Sequence, residues 1–314
     1  MVNLVAAQKP LLHGLMKMAG LVPHTVEIDE ETVMSFWVPR RKEDKIEKKK
    51  NNNNNKDHKT RKKPAVVLVH GFAAEGIVTW QFQVGSLTSK YDVYVPDLLF
   101  FGGSFTSNTD RSPTFQSECL TKALAKLDVE RCTVVGFSYG GMVAFKMAEM
   151  YPELVTSLVI SGSVLAMTDS ISGTTLERLG FASSSELLLP NSVKGLKALL
   201  SVAAHKKLWF PDRLFRDYLE VMFNNREERA QLLEGLIVSN KDASIPNFSQ
   251  KILLLWGEND QIFNLNLAKN MEEQLGGNTT MQAIEKAGHL VHLERPCVYN
   301  RRLKEYLALF TQVE

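Results

Sequence analysis

Val134-Val-Gly-Phe-Ser-Tyr-Gly-Gly141 is the stretch on which the fold turns. It starts β-branched and apolar, passes through G-x-S-x-G, and continues into a helix-compatible run over 139–150. A serine flanked in this way sits on a strained strand-to-helix turn with its hydroxyl above the sheet. Gly136 and Gly140 suit that turn because side chains there would crowd it. The helix that follows points its positive end at any oxyanion formed beside the serine. The pentapeptide alone arises by chance in roughly one chain in ten of this length. Its place between a strand and a helix is what gives it weight.

Outward from Ser138, short apolar runs alternate with helical patterns. The pattern predicts strands over 32–38, 65–70, 91–95, 132–135, 154–160, 251–256 and 280–284. It predicts helices over 78–89, 113–127, 139–150, 265–275 and 296–310. Such alternation implies an α/β fold: a doubly wound, mostly parallel sheet with helices on both faces. Between 164 and 245 no convincing strand is visible, and apolar residues recur at helical spacing, as in Leu196, Leu199, Leu200 and Ala203. That segment is expected to be a helical cap inserted between two strands. The division is then a helical extension over 1–24, a first core part over 25–163, the cap over 164–245 and a second core part over 246–314.

Charge is unevenly spread. The chain carries a formal +2, but Arg40 to Lys63 holds 12 Lys or Arg against 4 Asp or Glu, a local +8 that leaves −6 elsewhere. This Asn- and Lys-rich run cannot bury enough apolar surface to offset its ordering entropy and reads as a disordered loop in a hairpin. Hydrophobic residues at 44% and charged residues at 23% match an ordinary globular protein. No run reaches the roughly 18 apolar residues of a membrane span, and the N-terminus lacks the pattern of a secretory signal. Cys119, Cys132 and Cys297 are odd in number and without C-x-x-C spacing, which suits a reducing compartment rather than a disulfide or zinc framework. A cytoplasmic protein is expected. Val2 to Leu21 is apolar and helix-compatible apart from Pro10, so it is a candidate for peripheral membrane contact or for packing on the domain.

A serine hydroxyl needs a base, and the base needs an acid to orient it. In a doubly wound sheet all three belong at the carboxyl ends of strands. Asp260 lies just past the run Leu253 to Trp256, and His289 lies past the next strand, giving the order Ser138, Asp260, His289. Glu258 is a rival acid, two residues nearer the strand, and His292 stands three residues from His289.

Several further motifs resemble the α/β-hydrolase superfamily over residues 65 to 310, in its plant-type branch with esterases, monoacylglycerol lipases, epoxide hydrolases and meta-cleavage-product hydrolases. His70-Gly71-Phe72 resembles the oxyanion loop. Pro96-Asp97-Leu98, followed by Gly102 and Ser104, resembles the P-D-x-x-G-x-G-x-S stretch, and Trp256 to Asp260 the acid loop. Gly288-His289 with Glu294 and Pro296 resembles the histidine loop. The resemblance implies Ser138 as nucleophile, His289 as general base and acid, and Asp260 as its orienting partner. It also implies an oxyanion hole from the backbone N–H groups of Phe72 and Tyr139, with His70 holding its loop. Phe100 departs from the pattern, standing where a glycine is usual. Leu99, Phe100 and Phe101 are therefore candidates for substrate-pocket or cap contacts, or for plain core packing.

The expected activity is hydrolysis of a hydrophobic carboxylic ester through a Ser138 acyl-enzyme. Two alternatives are carbon–carbon hydrolysis of meta-cleavage type, where the resembling enzymes usually carry Asn in place of Phe137, and a slow-turnover small-molecule receptor on the same fold. A serine nucleophile disfavours epoxide hydrolysis, which in the resembling enzymes uses Asp. No metal, organic cofactor or nucleic-acid partner is implied, and the oligomeric state stays open.

Overall fold

Along a strand, successive side chains leave opposite faces, so a strand buried on both sides must be apolar throughout. Val66 to Val69 is such a run. The computed structural model describes residues 2–40 and 63–310. In chain order its strands are β1 (Leu21–Asp29), β2 (Thr32–Pro39), β3 (Ala65–Val69), β4 (Asp92–Pro96), β5 (Phe105–Thr106) and β6 (Cys132–Phe137). They continue with β7 (Val155–Ser161), β8 (Met167–Thr168), β9 (Ile237–Val238), β10 (Lys251–Gly257) and β11 (Thr279–Ile284). Among the described residues, one sheet runs β1-β2-β4-β3-β6-β7-β10-β11, with β5 added against β2. Pairs β1–β2, β2–β4 and β2–β5 are antiparallel, and from β4 to β11 every pair is parallel.

The alternation divides the core in two. Val67, Val69, Val134, Leu254 and Trp256 face helices Pro113–Lys126, Tyr139–Met150 and Leu265–Leu275. Val66, Leu68, Val135, Leu253 and Leu255 face Pro296–Ala308 and Met16 of the N-terminal helix Leu4–Met18. The doubly wound α/β reading holds.

Three details differ from the expectations. The N-terminal helix stops at Met18, since Gly20 takes φ +88° and lets the chain turn into β1, which pairs with β2 from Leu21 onward. The single helix expected over 78–89 is two short ones, Gly76–Thr79 and Val84–Leu87. Between them Gln83 turns inward, fully buried, and its amide donates to His292 O and Asn300 Oδ1, both at 3.0 Å. The segment between β7 and β10 consists of helices Asp169–Leu179, Ser184–Leu188, Val193–Ala203, Asp212–Met222 and Arg226–Gly235, but it also contains the parallel pair β8–β9. Two-residue strands such as β5, β8 and β9 carry no sequence period to detect. The basic loop expected over 40–63 lies, from 41 to 62, outside the described residues.

One buried cation fastens the inserted helices to the sheet. Arg229 is 1% exposed. Its Nε donates to Phe100 O at 3.0 Å, and its Nη groups donate to Met222 O and to Asn224 Oδ1 at 2.9 Å. The guanidinium lies 4.1 Å over the Phe101 ring, and burial draws its pKa down to about 10. Replacing Arg229 with Met would leave Met222 O and Asn224 Oδ1 without this donor and Phe100 O with Asn225 alone, for an expected loss of about 2–4 kcal/mol in urea unfolding at unchanged m value. Arg229→Lys should recover little of it, because an ammonium lacks the planar fork.

Candidate active site

β6 is buried along its whole length and ends at Phe137, where the chain must reverse into the helix Tyr139–Met150. Ser138 makes that reversal at φ +53°, ψ −121°, a region that costs a non-glycine residue about 1–3 kcal/mol. The turn is held on both sides. Ser138 N–H donates to Ser161 O at 2.9 Å, while Ser138 O accepts from Gly141 N–H at 2.8 Å and from Ser163 Oγ at 2.7 Å. A Cβ on Gly140 would stand 2.3 Å from His70 O, so only glycine lets the helix start so near the end of β3. The Ser138 side chain is thereby left part-exposed, facing a cavity lined by Phe72, Met142, Leu176, Leu187 and Phe263. The cavity is narrow, about 40 Å³.

Asp260 follows β10. Its Oδ1 accepts from Ile262 N–H at 2.8 Å and Phe263 N–H at 2.9 Å, and its Oδ2 lies 2.9 Å from His289 Nδ1. A carboxylate accepts all three bonds, so the imidazole proton sits on Nδ1 and leaves Nε2 with a free lone pair. The rival acid Glu258 is exposed, its backbone N–H tied to Ile284 O, and it does not meet the imidazole. His289 is 5% exposed, with the Phe137 ring 4.9 Å away and that of Phe263 at 5.9 Å. The rival base His292 is fully buried on the far side of Phe137, 4.4 Å from that ring, and does not line the cavity. No hydrogen bond among the described residues joins the Ser138 hydroxyl to His289.

The loop after β3 completes the surroundings. His70 Nε2 accepts from Leu98 N–H at 2.9 Å, and its Nδ1 contacts Gly71 O at 2.6 Å, so Nδ1 carries the proton and the ring is neutral. Burial pushes its pKa down to about 4. Asp97 Oδ1 accepts from Gly76 N–H at 2.8 Å, and desolvation raises that carboxyl to about 7. These bonds stitch the 70–76 loop to the 97–104 loop. They leave the N–H groups of Phe72 and Tyr139 without an acceptor among the described residues.

The structure puts Leu99, Phe100 and Phe101 elsewhere than a pocket. All three are buried, and none lines the cavity beside Ser138. Phe100 adopts φ +72° in the place where a glycine was expected, and its carbonyl accepts from Asn225 and Arg229. Core packing and anchorage of the inserted helices replace the substrate-contact expectation.

A family model described as the alpha/beta hydrolase fold matches residues 64–296. The chain belongs to this family. Human monoacylglycerol lipase ABHD6 is 27% identical over 263 residues, covering 78% of this chain and 76% of the relative. An uncharacterised Mycobacterium tuberculosis protein is 36% identical over 97 residues, and the chain spans only 28% of that relative's length. Among solved structures, 2-hydroxy-6-oxo-6-phenylhexa-2,4-dienoate hydrolase from Rhodococcus sp. superposes with a TM-score of 0.72 over 92% of this chain and 99% of the other, at 18% identity, a likeness of fold alone. These relatives are bacterial and vertebrate and lend no support to a plant-type branch.

Sequence reasoning missed part of this α/β-hydrolase site. Gly162, at φ +53°, has no room for a side chain: a Cβ would lie 2.7 Å from His289 Nδ1 and 3.2 Å from Asp260 Oδ2. Ser163 holds the Ser138 carbonyl. Both follow the end of β7, the strand paired with β6, and that adjacency was the signal available. Gly162→Ala should therefore push the imidazole off Asp260 and lower ester turnover at least about tenfold, with folding checked by circular dichroism.

His292 yields a pH prediction. Both its ring nitrogens lack a hydrogen-bond partner among the described residues, and burial lowers its pKa from 6.5 to about 3. Between those values the unfolded chain binds a proton that the native state does not, so this group removes stability as pH falls through 6.5. The slope is at most about 1.4 kcal/mol per pH unit. Urea titrations from neutral pH down to pH 4 should show His292→Leu flattening the acid limb by about that slope.

Proposed function

We propose that this hydrolase cleaves a carboxylic ester through an acyl-enzyme on Ser138. The observation that carries the reading is the Ser138 turn, whose hydroxyl enters an apolar cavity beside two backbone N–H groups without acceptors. Ser138 Oγ attacks the ester carbonyl carbon as His289 Nε2 takes its proton. Substrate binding closes the serine–histidine gap, since catalytic hydrogen bonds are commonly long in the unliganded state. The N–H groups of Phe72 and Tyr139 receive the oxyanion, and Asp260 stabilises the imidazolium. Collapse expels the alcohol, which takes the proton from His289. Water then attacks the acyl carbonyl with His289 again as base, releasing the acid.

Apolar lining favours a hydrophobic acyl chain, and a monoacylglycerol lipase among the relatives is in keeping with an ester substrate. Ser172 and Thr175 also line the cavity, and no hydrogen bond among the described residues engages their hydroxyls, so they can take a polar oxygen of the substrate. The carbon–carbon alternative receives less support: Phe137, next to the serine, brings only an apolar ring against His289.

The deciding experiment is labelling with a fluorophosphonate probe. Wild type should label and Ser138→Ala should not, and both Ser138→Ala and Asp260→Asn should lose about ten-thousand-fold or more in p-nitrophenyl ester turnover. Folded wild type that resists the probe would sink the acyl-enzyme reading and favour a receptor. Leu187→Ala should widen the cavity and move the optimum of kcat/KM towards longer acyl chains, measured across a p-nitrophenyl ester series.

A further inference from the structure

The helix Leu4–Met18 bears two apolar stripes. Val5, Leu12 and Met16 pack onto the fold. Leu4, Ala7, Leu11, Leu15 and Met18 repeat at three- and four-residue spacing on the open side, with Leu11 67% and Met18 78% exposed. One stripe is enough to seat a surface helix. The second has no partner among the described residues. Beside it lies His205-Lys-Lys-Leu-Trp-Phe210, every residue exposed and Trp209 at 84%. The two are neighbours: Arg213, three residues past Phe210, donates to Val2 O at 2.8 Å, and Asp217 Oδ2 accepts from Leu4 N–H at 2.8 Å.

We propose that this combined surface docks the protein on the face of an anionic lipid bilayer. Charge supports that occupant. Lys17, Lys206 and Lys207 are exposed at the surface, and neither the helix nor the 204–211 loop contains Asp or Glu. Lysines beside an exposed tryptophan and leucines match the headgroup zone, where aromatic rings and apolar side chains enter and ammonium groups meet lipid phosphates. A second copy of the chain fits less well, because two-fold pairing would bring the same Lys206 and Lys207 side chains together. The contact lies in the membrane plane, since no helix among the described residues is long and apolar enough to cross. It also lies beside the site. Glu294 Oε1 accepts from His205 N–H at 2.8 Å and Lys206 N–H at 3.2 Å, and its Oε2 accepts from Gly288 N–H at 2.6 Å, the residue before His289.

The test uses the full chain with vesicles of phosphatidylcholine alone or mixed with phosphatidylserine, read by co-sedimentation and tryptophan emission. Trp37, Trp80 and Trp256 are buried, so an emission change reports on Trp209. Wild type should pellet with the mixed vesicles and its emission should shift to the blue. Trp209→Ser should lose the shift, and L11S/L15S and K206E/K207E should each lower partitioning at least about fivefold. All these positions are exposed, and fluorophosphonate labelling controls for folding. Wild type that ignores mixed vesicles overturns the proposal. Binding that persists through all three variants also overturns it, by assigning the contact elsewhere in the chain, the basic run Arg40 to Lys63 included. A concentration-dependent dimer abolished by the same variants, without vesicle binding, gives the surface to a second copy instead.

Discussion

The close approach of the helix Tyr139–Met150 to the sheet is the constraint from which the site follows. The helix begins against the carbonyls of Val69 and His70, at a distance that only Gly140 permits. Its start there forces Ser138 into a positive-φ turn, held closed as Ser138 N–H donates to Ser161 O and Ser138 O accepts from Ser163 Oγ. The strain is local and the bonds that oppose it come from neighbouring strand ends. A side chain held this way is fixed before any ligand arrives, which is what the proposed role of Ser138 as nucleophile requires.

Around that turn, polar groups are fixed by backbone partners rather than by one another. Asp260 is held through two backbone N–H groups on one oxygen, so its other oxygen aims at His289 without further support. The acid and histidine loops are joined by Glu258 N–H to Ile284 O and by Asn259 N–H to Ala287 O. His70 is locked between Gly71 and Leu98 as a neutral ring. Each loop at the carboxyl edge of the sheet is thus tied to the next, and a shift of any one would be felt at the imidazole.

This explains which features were legible in the sequence. β6, the elbow glycines and the Asp260 and His289 loops announce themselves through local pattern: apolar runs, glycine, and polar residues just past strand ends. Gly162 was not visible because its requirement arises from contact with His289, more than a hundred residues away. Phe100 could be narrowed no further than pocket, cap contact or core for a related reason. An aromatic residue in a loop near the site suggests a pocket, but its ring is covered by Arg111 and its carbonyl is claimed by Arg229, contacts that exist only once the inserted helices are seated. The broken helix over 78–89 failed on the same ground, since Gln83 is drawn inward by His292 and Asn300.

The inserted helices are where specificity and surface contact meet. Their inner residues, among them Leu176 and Leu187, line the cavity beside Ser138, so their positions set the room a substrate would find there. Arg229 anchors one end of the insertion to the Phe100–Phe101 loop, and Glu294 ties its 205–206 segment to the histidine loop. The helices Asp169–Leu179 and Ser184–Leu188 precede both fixed points and hold no such buried charge, their tie to the acid loop being the exposed Arg178, which donates to Ile262 O at 3.2 Å. Movement that admits substrate can therefore concentrate there, leaving the Ser138 turn and the Asp260–His289 pair in place.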